Sequence, residues 1–356
     1  MSISVFNHPY LSGLLGDESV SRHFEASEDV KAMVSFEAAL AAAEASAGVV
    51  PSDASSGIQK ACADFVADMD ALKAGAANDG VVVPEFVRQL RKTVPDNIAK
   101  YVHFGVTSQD VIDTSLILRL KSATEVIEDA LAKVIKNIDI LESRFGHVPL
   151  MGRTRMQQAL PVTVSHRLSE WRRPLVRQLD KLAALKTELF VVQLGGPVGS
   201  LDHFEGRGPE IRGKLAVLLG LVDPQNCWHT DRTSLVDYAN WLAVLSGTIG
   251  KIGQDILLMS VNEVMEISTS GRGGSSAMPH KQNPVKAEVL VTLGRFNAVN
   301  MSGMHQALPH ENERSGQSWT LEWMILPQMV VATSASLRQA NELLESIERI
   351  GSEALD

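Results

Sequence analysis

The sequence predicts an all-α protein centred on a bundle of long helices. Three observations carry that expectation. Aromatic residues make up only 5% of the chain, residues 110–145 contain neither Gly nor Pro, and apolar side chains return every third or fourth position with no strand-like alternation. A first helix, 28–47, follows Ser27 and opens on Glu28 and Asp29, whose charges suit a helix N-terminus. Shorter helices surround it, cut by Gly48-Val49-Val50-Pro51, Gly75, Gly80 and Pro84. Over 110–145, Leu116, Leu120, Ala123, Ile127, Ala130, Val134, Ile138 and Leu141 paint one face. Pro161 suits the first turn of the next helix, 161–193, which Pro174 is expected to kink. Over 234–267, Leu235, Tyr238, Leu242, Leu245, Ile249, Ile252, Ile256 and Met259 keep the same spacing. Two more helices are expected over 285–306 and 318–350, the latter bent at Pro327. Five long helices in succession mean a bundle. The expected division is a small N-terminal helical domain, 1–102, and a central long-helix domain, 103–356.

The 356 residues carry 33 basic and 42 acidic side chains, a net charge of -9. Affinity for nucleic acid rests on neutralising phosphates, so no such partner is expected. Cys62 and Cys227 are too few for a disulfide framework or a zinc site, and the histidines lack ligand spacing. No metal and no cofactor are expected. No charge-free run reaches the ~18 residues of a membrane span, and residues 1–16 lack a signal peptide's positive start. A soluble, cytoplasmic protein is the expectation.

Geometry constrains function. A helix filling 110–145 is ~51 Å long at ~1.5 Å per residue, so the loops flanking it lie at opposite ends of the bundle. Residues from both loops can serve one site only if they come from different subunits. The stripes are also long enough to bury helices against neighbouring chains, so an oligomer is expected.

The segment 270–284 puts Gly271, Gly273, Gly274, Pro279, Pro284, Lys281 and Asn283 into one loop. Glycines expose amide donors to a ligand, and Lys and Asn can hold a carboxylate. It is no phosphate-binding Walker loop, because no Gly-Lys-Ser/Thr closes it. By composition alone a linker between helices reads the same way.

Ser275-Ser276-Ala277-Met278-Pro279-His280-Lys281-Gln282-Asn283-Pro284 matches the pattern S-S-x-M-P-x-K-x-N-P at every fixed position. The chain thereby resembles the fumarase/aspartase superfamily. Two further blocks follow the same order, His103-Phe104-Gly105-Val106-Thr107-Ser108-Gln109-Asp110 and Gly152-Arg153-Thr154-Arg155-Met156-Gln157-Gln158-Ala159. The opening, Phe36-Glu37-Ala38-Ala39-Leu40-Ala41 leading to Gly48-Val49-Val50-Pro51, looks like the 3-carboxy-cis,cis-muconate lactonising branch.

The resemblance implies a homotetramer with three chains at each site and a small anionic di- or tricarboxylate substrate. It implies cycloisomerisation of 3-carboxy-cis,cis-muconate, or a 3-sulfo analogue, in aromatic catabolism. It makes Ser275 and Lys281 catalytic, Ser275 exchanging a proton with carbon and the Lys281 ammonium stabilising its ionised form, while Lys281 and Asn283 also hold the substrate carboxylate. Thr107 and Ser108 precede a helix, where they either bind an anion or cap it. Thr154, Arg155 and Gln157 join the binding set. Most of the superfamily has His at the position of Arg155, and that His serves acid–base work on the leaving group. A lactone's leaving group is a carboxylate, with a reference pKa near ~4, and needs no proton. Arg cannot supply one, yet it can bind the carboxylate through two hydrogen bonds. This counts against fumarate-releasing lyases of the adenylosuccinate or argininosuccinate type. A non-catalytic relative is the remaining alternative. His103 either contacts substrate or caps its loop. Arg314 either pairs with an acidic substituent or belongs to a solvated loop. His280 is expected to face solvent, and Trp319 and Trp323 to pack. Superfamily members usually continue into a small C-terminal helical domain, so here that domain is expected to be short or absent.

Overall fold

The computed structural model describes residues 4–270, 273–274, 278 and 282–352. Its first hundred residues form α1 (Ser12–Leu15), α2 (Glu18–Ser21), α3 (Ala26–Ser46), α4 (Ser52–Ala63), α5 (Met69–Asp79), α6 (Val83–Arg91) and α7 (Asp96–Ala99). Helix α3 starts two residues earlier than expected, with Ser27 inside it and Glu28 and Asp29 still in the first turn. Its Phe36, Leu40 and Ala43 are buried.

The bundle follows: α8 (Ser108–Phe145), α9 (Val164–Leu189), α10 (Gly208–Leu219), α11 (Thr233–Met259), α12 (Val285–Ala307) and α13 (Gln317–Glu345). Helix α8 lies at the centre, against α3, α9 and α13, while α11 packs on α9, α12 and α13. Every expected stripe residue of α8 except Ala130 is buried, and so are all eight on α11. Each such Leu, Ile or Val contributes roughly 1.5–3 kcal/mol, so the stripes outweigh any single polar contact in assembling the bundle. Helix α11 is long and apolar enough to cross a membrane, but here its apolar stripe is the bundle's own core. One continuous core runs from Phe6 to Ile350.

Several expected elements differ. Pro161 is not in a helix: it lies in β2 (Gln157–Thr163), opposite Met151 of β1 (Pro149–Thr154) in an antiparallel hairpin. Proline lacks the N–H a central strand needs, but a two-stranded ribbon leaves it an edge position. Helix α9 begins only at Val164, where the Thr163 side chain accepts from the His166 amide. Helix α11 stops at Met259: residues 260–266, expected to extend it, form a turn and coil, and Ile267 opens β3 (Ile267–Thr269). Strand β3 pairs antiparallel with β4 (Ile347–Ile350), which in turn replaces the expected last turn of α13. Pairing satisfies the backbone groups of these two segments outside the helices. Pro174 and Pro327 lie inside α9 and α13 without ending them. Helix α10 has no counterpart among the expected helices.

Candidate active site

The N-terminal end of α8 is built around one carboxylate. Thr107 is the N-cap, Ser108 the first helical residue, and Asp110 reaches back to accept from the Thr107 amide at 2.9 Å. This is the reciprocal half of a capping box. Asp110 also accepts from the amides of Gly195 at 2.8 Å and Gly196 at 2.9 Å, and its Oδ1 lies 2.8 Å from Nε2 of His229. Both oxygens are thus fully used, although the residue is completely buried. Burial disfavours a charged His229. The hydrogen bonds and charges of Asp110 and Cys227 outweigh it, and the imidazole pKa is pushed up to about 9.

One turn further, Asp113 receives both terminal nitrogens of Arg232, at 2.7 and 3.1 Å. Arg232 binds Glu322 of α13 as well, at 2.9 and 2.6 Å. Trp319 donates to Asp113 at 3.0 Å, and Nε2 of His310 stands 3.2 Å from Glu322. All of these are buried. Breaking such a pair on one side strands a buried charge and costs about 3–5 kcal/mol. The network pins the loop that carries Arg314, whose guanidinium donates to the Pro197 carbonyl at 3.0 Å. His103 belongs to the same end: its Nδ1 is 2.6 Å from Oε1 of Glu37, and its backbone is left-handed, with φ 60°.

The second block lies at the other end of α8. Thr154 and Gln157 pair across the hairpin, and Arg155 and Met156 form its tip with φ of 50° and 68°. A turn with two positive φ values favours Asn-Gly, so placing Arg and Met there costs of order 1–2 kcal/mol per residue. Gly152 is required in β1, since a Cβ there would meet the Leu160 carbonyl at 2.6 Å. Arg153 ties the hairpin to Glu266, just before β3, at 2.6 Å. A cavity of about 730 Å³ lies beneath, lined by Arg153, Arg155, His166, Arg167, Lys251 and Glu266 among others. Strand β3 leads into the third block, and β4 closes back on the hairpin through the Ser352 amide, 2.8 Å from the Pro149 carbonyl. The root of the third block therefore shares the hairpin's end. Gly273 and Asn283 exchange backbone hydrogen bonds at 3.0 and 2.8 Å, closing the base of that loop. Ser275, His280 and Lys281 lie outside the described residues. Among the described residues, no three His, Cys, Asp or Glu side chains converge as metal ligands.

A family profile described as lyase matches residues 11–299. A 3-carboxy-cis,cis-muconate cycloisomerase of Acinetobacter baylyi is 37% identical over 328 residues, 90% of this chain and 72% of that protein. The crystal structure of 3-carboxy-cis,cis-muconate lactonizing enzyme from Pseudomonas putida superposes with a TM-score of 0.89 at 35% identity, over 96% of this chain and 77% of that one. The chain belongs to the fumarase/aspartase superfamily. A further member, an N-acetyl-S-(2-succino)cysteine lyase of Enterococcus italicus, is 31% identical over 88% of this chain and 70% of its own.

As a superfamily chain, it distributes its polar residues in two groups. His103, Thr107, Ser108 and Arg314 gather at the N-terminal end of α8, while Thr154, Arg155, Gln157 and Asn283 gather at the other. No single chain brings all of them together. Sequence reading missed the Gly195–Gly196 turn, His229 and Glu37. The spacing Thr107-x-x-Asp110 signals the cap, but Asp110's partners stand 85, 86 and 119 residues away, and no local pattern reports them.

Proposed function

We propose that the chain is a cycloisomerase that converts 3-carboxy-cis,cis-muconate to its muconolactone, working as a homotetramer with sites shared between subunits. The observation that carries this reading is Arg155. It stands where a general acid would be needed to expel an amine, on a turn whose backbone favours Asn or Gly. Backbone strain of this kind persists where function holds it. A guanidinium cannot shuttle protons, yet it can receive a carboxylate in two parallel hydrogen bonds.

In the lactonising direction one substrate carboxylate forms a C–O bond to an alkene carbon, and the π pair takes a proton at the neighbouring carbon. Ser275 delivers that proton. Lys281 and Asn283 hold the carboxylate beside it as charge develops. The first and second blocks lie at opposite ends of α8, whose 38 residues span about 57 Å at ~1.5 Å per residue. A complete pocket therefore takes one end from one chain and the other end from another.

The relative that acts on N-acetyl-S-(2-succino)cysteine supports a second reading, release of fumarate from a thioether. A thiolate, with a reference pKa near ~8.5, also leaves with less help than an amine. The test follows loss of diene absorbance with 3-carboxy- and 3-sulfo-cis,cis-muconate, and fumarate release from S-(2-succino)cysteine and adenylosuccinate. Turnover of a muconate is expected, and Ser275→Ala should lower kcat by roughly 100-fold or more while KM moves little. No turnover of either muconate overturns the reading, and rapid fumarate release establishes the second.

A further inference from the structure

Glu37 is a buried carboxyl with one partner. It lies on α3, 66 residues before His103, and is 1% exposed. Its Oε1 stands 2.6 Å from Nδ1 of His103, and Oε2 has no partner among the described residues. A buried carboxyl left half satisfied costs stability, and an amide or apolar residue would fill the same space more cheaply. Something other than packing retains it.

The surroundings direct its charge to one place. Glu44, two turns along the same helix, is buried, and burial together with the charge of Glu37 pushes its pKa up to about 9. The same two causes push the Cys62 thiol of α4 up to about 12. Both are neutral near pH 7. Arg91 of α6 donates to the Val102 carbonyl at 3.0 Å and so holds the backbone from which His103 projects. Among the described residues, only the His103 imidazole hydrogen-bonds to the Glu37 carboxyl. His103 keeps 14% of its side chain exposed, and its Nε2 has no protein partner among the described residues.

We propose that Glu37 is the positioning residue of His103. A carboxylate can only accept, so Nδ1 carries the proton, and the lone pair is left on Nε2 at the open edge of the ring. Glu37 thereby fixes the tautomer and the ring orientation in which His103 presents Nε2 to the substrate, an arrangement assembled here from α3 and the loop before α8. It deepens the proposed cycloisomerase reading, on which the substrate-facing role of His103 rests.

The experiment reads His103 directly and then the reaction. Diethyl pyrocarbonate modification of the intact enzyme, followed by peptide mass spectrometry across pH, reports when Nε2 is free. The kcat and KM for 3-carboxy-cis,cis-muconate report its use. Glu37→Gln, nearly isosteric, should move the modification midpoint of His103 to lower pH and reduce kcat roughly 10- to 100-fold, with KM within about threefold. Glu37→Asp should recover most of both. In a His103→Asn background, Glu37→Gln should cost no further activity. An unchanged midpoint in Glu37→Gln, or a full additional loss in the His103→Asn background, overturns the proposal. A shifted midpoint with unchanged kcat leaves the positioning intact and removes His103 from the proposed reaction. Should Glu37→Gln not fold, Glu37→Met carries the same readout, since it keeps the side-chain length and removes the carboxylate.

Discussion

The two ends of α8 are finished to different degrees. At its N-terminal end Asp110 makes four hydrogen bonds, Arg232 joins two buried carboxylates, and every partner comes from the same chain. At its C-terminal end a two-stranded hairpin projects, with Met156 72% and Leu160 74% exposed around Arg155. An isolated hairpin is marginal in water, and in the proposed tetramer these exposed apolar residues beside a cation are the surface that meets another subunit. The difference teaches where each kind of residue comes from: the chain completes its own anchor and presents its charged tip outward.

The widest-reaching test is complementation. His103→Ala and Arg155→Ala, one from each end, should each be severely impaired. Mixed under conditions that exchange subunits, they should regain activity in roughly a quarter of the sites, those that receive an intact end from each chain. No recovery despite demonstrated exchange would break the comparison, because both ends would then serve a pocket within one chain.

The finished end should be where stability resides. Asp110→Ala strands three amides and a buried imidazole, and should cost about 3–5 kcal/mol in urea unfolding. A loss under 1 kcal/mol would show that the anchor is redundant. The same end should set the response to alkali. The His229 pKa rises from 6.5 to about 9 on folding, so its contribution is complete below pH 6.5 and lost as pH climbs through 9. Glu44 acts in the same direction, with a window from 4.5 to about 9. Between pH 6.5 and 9 each should remove on the order of 3 kcal/mol, and Glu44→Gln should flatten part of that fall. Unfolding midpoints that stay level to pH 9 would contradict both. The smallest effect belongs to the open end. Arg155→Ala should leave unfolding free energy within about 0.5 kcal/mol of the parent, even as kcat/KM collapses.

The long helices were legible because their stripes are local. Leu116 through Leu141 and Leu235 through Met259 announce themselves by spacing alone, and all but Ala130 are buried as that spacing requires. The hairpin was not legible, because Pro161 reads equally as a helix start and as an edge residue of a ribbon. Strands β3 and β4 escaped for a different reason: β3 is three residues long and meets a partner some eighty positions away. Of the site, the sequence blocks carried Thr107, Arg155 and Asn283, residues embedded in compact patterns. The long-range pairs beside them, Gly195 and His229 with Asp110, Arg232 with Asp113, and Glu37 with His103, are joined through space and leave no mark on neighbouring residues.

The Arg232 junction also has a consequence for how the molecule is made. Its first carboxylate, Asp113, emerges from the ribosome long before Arg232, but its second, Glu322, follows 90 residues after it. At a synthesis rate of roughly 5–20 residues per second, the guanidinium waits on the order of 5–20 s for its remaining partner. Through that interval α8 and the start of α11 can meet, while α13 does not yet exist to seal them. The end of the bundle that is most completely bonded in the folded chain therefore closes only once α13 has been made, and the β3–β4 pairing at the other end follows it.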